Sequence, residues 1–462
     1  MKQKLLVNTF RDIWKSRGRF LSILLIVMLG TGFYTGLRAS SPDMIKNLNN
    51  YFEEYELHDL HYFSLEGFSL DTINQVSNLD EVSKAEGKYQ VDAYANSGSI
   101  AEKVIRVHSY NNSDKIDKYE LVSGRFPVTE NEIAIELNSD LSKDYEIGNT
   151  IRLESSYGLV NNEFEIVGVV RSPIYLDYQR GRTSIGDGVV DCYALASVDA
   201  FALERYTDLL VKLKCLTDID GYDEKYLPVV NEKKEVIFQF LKEIEPENII
   251  YQYDRNDIPG YINFYDDAQK VSKIAKVIPM FFILIAILVT LSTMTRMVNE
   301  QRIEIGTLSS LGYSKFSIIG KYIIYAFIAT FIGTVFGVTL GLMFIPRIVY
   351  GAYDMSYILP PLTPRFRWDY FGVNIAIAVV STQLATISAC MFILKSNPAN
   401  LLRGKAPVAG KKILLEQIGF LWCHLGFNLK MTLRNLFRYK SRTLITILGI
   451  AGCTGLMLTG FG

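Results

Sequence analysis

The sequence predicts a polytopic α-helical membrane protein with a mixed α/β extracellular domain inserted between spans 1 and 2. Three observations carry that fold class: apolar stretches of bilayer length, a strongly acidic region between the first two of them, and a second copy of the N-terminal segment near the C-terminus.

The first apolar stretch, "GRFLSILLIVMLGTGFYTGLR" (18–38), follows a flank carrying Lys2, Lys4, Arg11, Lys15, Arg17 and Arg19. Such a flank suits a cleaved signal peptide and a retained cytoplasmic anchor equally. The repeat decides between them. "TFRDIWKSRGRFLSILLIVMLGTG" (9–32) aligns at constant offset with "TLRNLFRYKSRTLITILGIAGCTG" (432–455), pairing Thr9 with Thr432, Arg11 with Arg434, Arg19 with Arg442, Leu21 with Leu444 and Gly32 with Gly455. An interior copy cannot be a leader, so both are read as retained spans opening two copies of one repeat. Trp14 facing Phe437 and Lys15 facing Arg438 extend the likeness into an amphipathic helix on the inner membrane surface. Residues 1–19 are that helix and 20–38 are span 1.

The net charge of −1 conceals a segregation. Residues 38–272 hold 23 Lys/Arg and 43 Asp/Glu, a net of −20, whereas the remainder holds 25 and 6, a net of +19. That pattern fits an acidic domain, 39–272, joined to a membrane part with basic inner loops, and nothing in it points to nucleic acid. Within 39–272, "SIAEKVIRVHSY", "EIAIEL", "TIRLES", "FEIVGVVRS", "VVDCYALAS" and "LLVKLKCL" read as strands. "SPDMIKNLNNYFEEYEL" reads as a helix with Ser41 as N-cap and Pro42 at its first position. "FYDDAQKVSKIAKV" runs helically into span 2, so two stalk helices are expected to rise from adjacent spans. Cys192 and Cys215 fall on neighbouring predicted strands, where a bridge forms if those strands pair side by side, two buried free thiols being the other reading. His58 and His61, in "HDLH", read as neighbours on a helix face rather than as metal ligands.

Span 2, "VIPMFFILIAILVTLSTM" (277–294), would rise about 27 Å as a helix, close to the hydrocarbon thickness. Span 3 is 322–345 and span 4 is 370–394, the latter carrying Asn374, Ser381, Thr382 and Gln383, as expected of a helix packed inside a bundle. Span 3 also presents Gly333, Gly337 and Gly341 on one face, where small residues let helices approach closely in lipid. Arg296, Arg302, Lys315 and Lys321 put the 295–321 connection in the cytoplasm with the N-terminus, and Lys395, Arg403, Lys405, Lys411 and Lys412 do the same for the linker 395–442. The loop after span 3 then lies outside. Span 5 is 443–462, read as the start of a truncated second repeat.

The most specific segment is "TRMVNEQRIEIGTLSSLGYSKFSIIGKYI" (295–323). Between Arg302 and Leu311 it can form a short amphipathic helix, offering Ile303, Leu308 and Leu311 for packing and Arg302 and Glu304 to a partner's surface. Gly306 and Gly312 allow a close approach and a turn. Its succession of Arg302, Glu304, Ile305, Gly306, Ser310, Leu311, Gly312 and Ser314 resembles the loop after the second span of FtsX-like permeases, the membrane subunits of MacB-type ABC transporters. "SGRFPVTENEIAI" (123–135), "IGNTIRL" (147–153) and "IVGVVRSPIY" (166–175) resemble that family's external domain, and "NPANLLRGKAPVAGKKILLE" (397–416) its linker. The large Gram-positive permeases with two such halves are similar over nearly the whole chain.

The resemblance implies that 295–321 is a coupling loop docking into a cytoplasmic ABC ATPase dimer, and that a second permease half completes the assembly. It implies mechanotransmission, in which ATP hydrolysis by the partner moves the outer domain to export or extract peptides, lipoproteins, lipids or antimicrobials. No G-x-x-x-x-G-K-[ST] occurs, so ATP and Mg are expected on a separate chain, with no catalytic residue, cofactor or metal here. A signalling scaffold that regulates a cell-wall hydrolase or sensor kinase is the alternative. Besides membrane lipid, the acidic surface suggests a cationic peptide or an extracellular protein as ligand, and the expected location is the cell membrane of a Gram-positive bacterium.

Overall fold

The computed structural model describes residues 2–95, 103–137, 146–155, 157–216, 221–223, 225–363, 368–394, 398–402 and 426–438, with scattered positions from 443 to 455. The linker stretch 403–425 and most of the expected span 5 lie outside the described residues. Two compact units divide the chain. One comprises 1–41, 271–348 and 364–462, and the other 42–270 and 349–363.

In chain order, α1 (Lys2–Lys15) and α2 (Arg17–Glu54) lead into the α/β region. Ser41 and Pro42 do not open a helix as expected; both lie inside α2. Proline lacks the N–H that an interior helical position normally donates, but here the helix runs through it. There follow β1 (Leu60–Phe68), α3 (Leu70–Ser77), β2 (Val82–Lys88), β3 (Gln90–Ala95), β4 (Lys103–Tyr110), β5 (Glu120–Gly124) and β6 (Glu132–Glu136). Next come β7 (Thr150–Glu154), β8 (Glu163–Arg171), β9 (Cys192–Ser197), β10 (Tyr206–Leu213), α4 (Tyr226–Ile244) and β11 (Ile250–Asp254). The remaining helices are α5 (Pro259–Glu300), α6 (Arg302–Ser310), α7 (Lys315–Ala352), α8 (Trp368–Leu394), α9 (Pro398–Leu402) and α10 (Phe427–Arg438).

In the α/β unit the strands form two sheets. The first has the order β11-β1-β10-β2 and is antiparallel throughout. Leu60, Tyr62, Leu209 and Val211 are buried in one core with Ile73 and Val76 of α3 and Val230, Ile237 and Leu241 of α4. The second has the order β5-β8-β6-β9-β4-β3-β7, and a further β7–β8 pairing closes six of its strands into a ring. β8 manages this by dividing its edge, pairing β7 through Glu163–Glu165 and β5 through Gly168–Arg171. Alternate residues Val91, Ala93, Ala95, Ile105, Val107, Ile133, Ile135, Ile151, Leu153, Phe164 and Ile166 share the core of this ring, as the period of two requires. Cys192, Ala194 and Ala196 of β9 join them, small side chains suiting so narrow an interior.

That placement corrects two readings. Cys192 belongs to the closed ring while Cys215 follows β10 of the other sheet, so their strands are not neighbours; both are free thiols, Cys192 buried and Cys215 exposed. Of the "HDLH" histidines, His61 lies in β1 and His58 two residues before it, neither of them on a helix. His58 Nδ1 is 2.6 Å from Asp117 Oδ2, and His61 Nε2 is 2.6 Å from Asp208 Oδ1.

The same unit includes the loop after α7. Tyr350 donates to the Pro360 carbonyl at 2.7 Å and accepts from Asn47 of α2, while Tyr357 donates to Asp267 of α5 at 2.8 Å. Ile358 N–H donates to the Leu176 carbonyl, joining this loop to the segment after β8.

Among the described residues, four helices are long and apolar enough to cross a membrane: 17–54, 259–300, 315–355 and 370–391. Gly333, Gly337 and Gly341 of α7 all face the backbone of α2. A Cβ on Gly333 would stand 2.6 Å from the Leu24 carbonyl oxygen, Gly337 lies against Met28 and Thr31, and Gly341 against Gly32. Ala39 of α2 packs with Val338 and Leu342 beside them.

Candidate functional site

The segment between α5 and α7 folds as it does because three positions punctuate it. α5 stops at Glu300, α6 starts at Arg302, and Gln301 alone separates them. At the far end Gly312 takes φ +85, the left-handed conformation that glycine adopts at low cost. Gly312 N–H then donates to the Ser309 carbonyl and Tyr313 N–H to the Leu308 carbonyl, a Schellman closure that satisfies the last carbonyls of α6. Ser314 restarts the chain by accepting from Ser317 N–H at 3.3 Å. Gly-x-Ser is thus a stop followed by a start.

One side of α6 is packed. Ile305 and Gly306 are buried, and Leu308 and Tyr313 lie against a core formed by Met294, Met297, Ile318, Tyr322 and Leu401. Gly306 is where α9 comes close, since a Cβ there would stand 3.1 Å from Leu401 Cβ and 3.2 Å from Leu402. The other side is bare. Ile303 is 61% exposed and Leu311 68%, and Phe316 in the first turn of α7 is 86% exposed. Three large apolar side chains are thus exposed within one short helix–turn–helix.

The charged residues divide differently from the sequence expectation. Glu304 turns inward: its Oε1 is 2.8 Å from Lys321 Nζ and accepts from Asn8 Nδ2 at 3.0 Å. Lys321 is almost wholly buried and also meets Asp12 Oδ2 at 2.6 Å. Asp12 accepts from Gln301 Nε2 at 3.4 Å, and Gln301 Oε1 accepts from Tyr322 OH at 2.7 Å. Sequence reasoning singled out Glu304 but missed Asp12, Gln301 and Lys321 as its companions. A signal existed: Asp12 is the sole acidic residue before Pro42 in a strongly basic segment, and the aligned position in the repeat is Asn435.

Outside this site, Arg180 and Glu136 form a buried ion pair behind β9, with Arg180 over the rings of Tyr175, Tyr178 and Tyr193. Burial raises the Glu136 carboxyl above its usual range despite that arginine. No group of three or more metal-ligating side chains occurs among the described residues.

A MacB-like periplasmic core domain matches residues 20–221, and an FtsX-like permease C-terminal domain matches residues 276–398. Among solved structures, the periplasmic region of MacB from Actinobacillus actinomycetemcomitans is similar at 12% identity over 46% of this chain and 95% of that one, with a TM-score of 0.29. The extracellular domain of the noncanonic ABC-type transporter YknZ from Gram-positive bacteria is similar at 11% identity over 43% of this chain and 99% of that one, with a TM-score of 0.27. No curated protein matches.

Proposed function

Because this chain is an FtsX-like permease of the MacB-type ABC transporters, we propose that α6 is its coupling helix, through which a separate ATPase drives the α/β unit. The observation that carries this reading is the two-sidedness of α6. Its inner side is fixed by Ile305, Gly306 and the Glu304–Lys321 pair, while Ile303, Leu311 and Phe316 offer an apolar surface to a partner. The inner side would transmit what the outer side receives.

The orientation follows charge. The basic connections around α6 and after α8 belong in the cytoplasm, and the acidic α/β unit belongs outside. α2 and α5 each continue well beyond the length a bilayer needs, at 38 and 42 residues, and so serve as stalks as well as spans. Movement imposed at α6 reaches the outer domain through them without a substrate crossing the bundle. A domain with a net charge of −20 attracts cationic ligands, which makes cationic peptides the first substrate class to try.

Copurification tests the assignment. A co-expressed partner ABC ATPase should come down with the wild-type permease from detergent, and Ile303→Asp with Leu311→Asp should lose it while still inserting in the membrane. Retention by the double variant would move the docking surface elsewhere.

A further inference from the structure

Lys321 has two anionic partners on two different helices: Asp12 of α1 at 2.6 Å and Glu304 of α6 at 2.8 Å. We propose that Lys321 is a positioning residue that clamps α1 to the coupling helix, giving motion of α6 a second route into the bundle. The proposal rests on the coupling role given to α6 above.

The first route is covalent, from α6 through Gly312 into α7. The second runs from Glu304 through the Lys321 ammonium to Asp12, and Asn8 Nδ2 supports it by donating to the same Glu304 oxygen. α1 passes directly into α2, with Ser16 N–H donating to the Asp12 carbonyl and Ser16 Oγ 3.1 Å from Tyr325 OH. The clamp therefore ties α6, through α1, to the helix that leads into the α/β unit, in addition to the glycine contacts of α7 with that helix.

Burial makes this a stiff link. Lys321 is 3% exposed and the Asp12 carboxylate is nearly as enclosed, so neither charge has water to replace a lost partner. Glu304 is half-open, which leaves the pair of carboxylates tolerable around one cation. A lysine holds this position better than an apolar residue only if an ionic contact is required there, since a hydrophobic replacement of similar volume is often no less stable.

The test uses the full permease reconstituted with its ATPase in nanodiscs, measuring ATPase binding and permease-stimulated ATP hydrolysis separately. Asp12→Asn keeps the shape of α1 and leaves Lys321 paired with Glu304; it should cut stimulation tenfold or more while binding changes less than threefold. Lys321→Met should do the same. The exchanged pair, Asp12→Lys with Lys321→Asp, restores a cation beside two carboxylates and should bring stimulation back to within threefold of wild type. Wild-type stimulation in Asp12→Asn, or loss in the exchanged pair as deep as in the single variants, would overturn the clamp. A wild-type permease that binds no ATPase or stimulates none would instead overturn the coupling reading beneath it.

Discussion

Gly32 of α2 and Gly337 of α7 leave no room for a side chain between their helices: a Cβ on Gly32 would stand 2.9 Å from the Gly337 carbonyl oxygen. Gly36 repeats the arrangement one turn on, with its Cβ position 2.6 Å from the Gly341 carbonyl oxygen. In lipid, helices gain little from hydrophobic burial against one another, so such close backbone packing carries the association.

Gly337→Leu should therefore force α2 and α7 apart. Overpacking of this kind costs about 1–3 kcal/mol or more, to be read as a lowered melting temperature in detergent. Gly320→Ala is the matched control, because nothing lies within 4 Å of its Cβ position; it should be neutral or stabilising by up to ~1 kcal/mol. Equal melting curves for the two variants would contradict the packing role.

At Gly306 the neighbour is α9. Leu401 and Leu402 lie 3.1 and 3.2 Å from the Cβ position, so alanine asks for a shift of a few tenths of an ångström and leucine for displacement of α6 or α9. Gly306→Ala should retain most of the stimulated ATP hydrolysis, whereas Gly306→Leu should abolish it with membrane insertion intact. Proteolytic mapping of the 295–321 region and the hydrolysis assay together check this.

Cys192 and Cys215 should react differently. Burial pushes the Cys192 thiol far up, and the thiolate is the reactive form, while Cys215 is exposed. Iodoacetamide on the folded protein, followed by peptide mass mapping, should label Cys215 and spare Cys192, and reductant should leave the melting temperature unchanged. A disulfide-linked peptide pair would refute the placement of these residues in separate sheets.

His108 provides a pH dependence. It lies in β4 of the closed ring, its Nε2 within hydrogen-bond distance of Tyr175 OH at 2.8 Å, and burial together with the nearby Arg106 guanidinium pushes its imidazole down to about 4, against the opposing pull of Asp208 and Asp92. The unfolded chain takes up this proton first, near pH 6.5, so the contribution is complete above that pH and is lost as pH falls toward 4. The full loss is on the order of 3 kcal/mol. Asp117 and Asp208, whose pKa values are lowered, lose their contributions only further into acid. His108→Gln keeps a hydrogen-bonding partner for Tyr175 and should flatten stability between pH 6.5 and 4, as followed by thermal unfolding at stepped pH.

Much of the fold could be read from sequence because lipid and strand periodicity leave strong patterns. All six strand segments recognised in advance contain strands, from β4 to β10, each bounded by turn residues. β1, β2, β3, β5 and β11 escaped; in β1 and β2 the strand signal is interrupted by Gly67 and Gly87. The conditional bridge between Cys192 and Cys215 does not form for a topological reason, since sequence order does not reveal that β9 pairs with β4 and β6 while β10 pairs with β1 and β2. At α6 the motif identified the helix and its Gly312 turn. The inward turn of Glu304 depended on Asp12 and Asn8, nearly three hundred residues away in sequence, and no spacing rule reaches that far.

The claim that α6 passes the ATPase's work into this chain is tested most directly by the hydrolysis rate of the partner ATPase in nanodiscs. Wild-type permease should raise that rate severalfold, and Leu311→Asp with Phe316→Asp, which alters only the exposed surface, should return it to the rate of the ATPase alone. Full stimulation by that double variant, correctly inserted, would contradict the account.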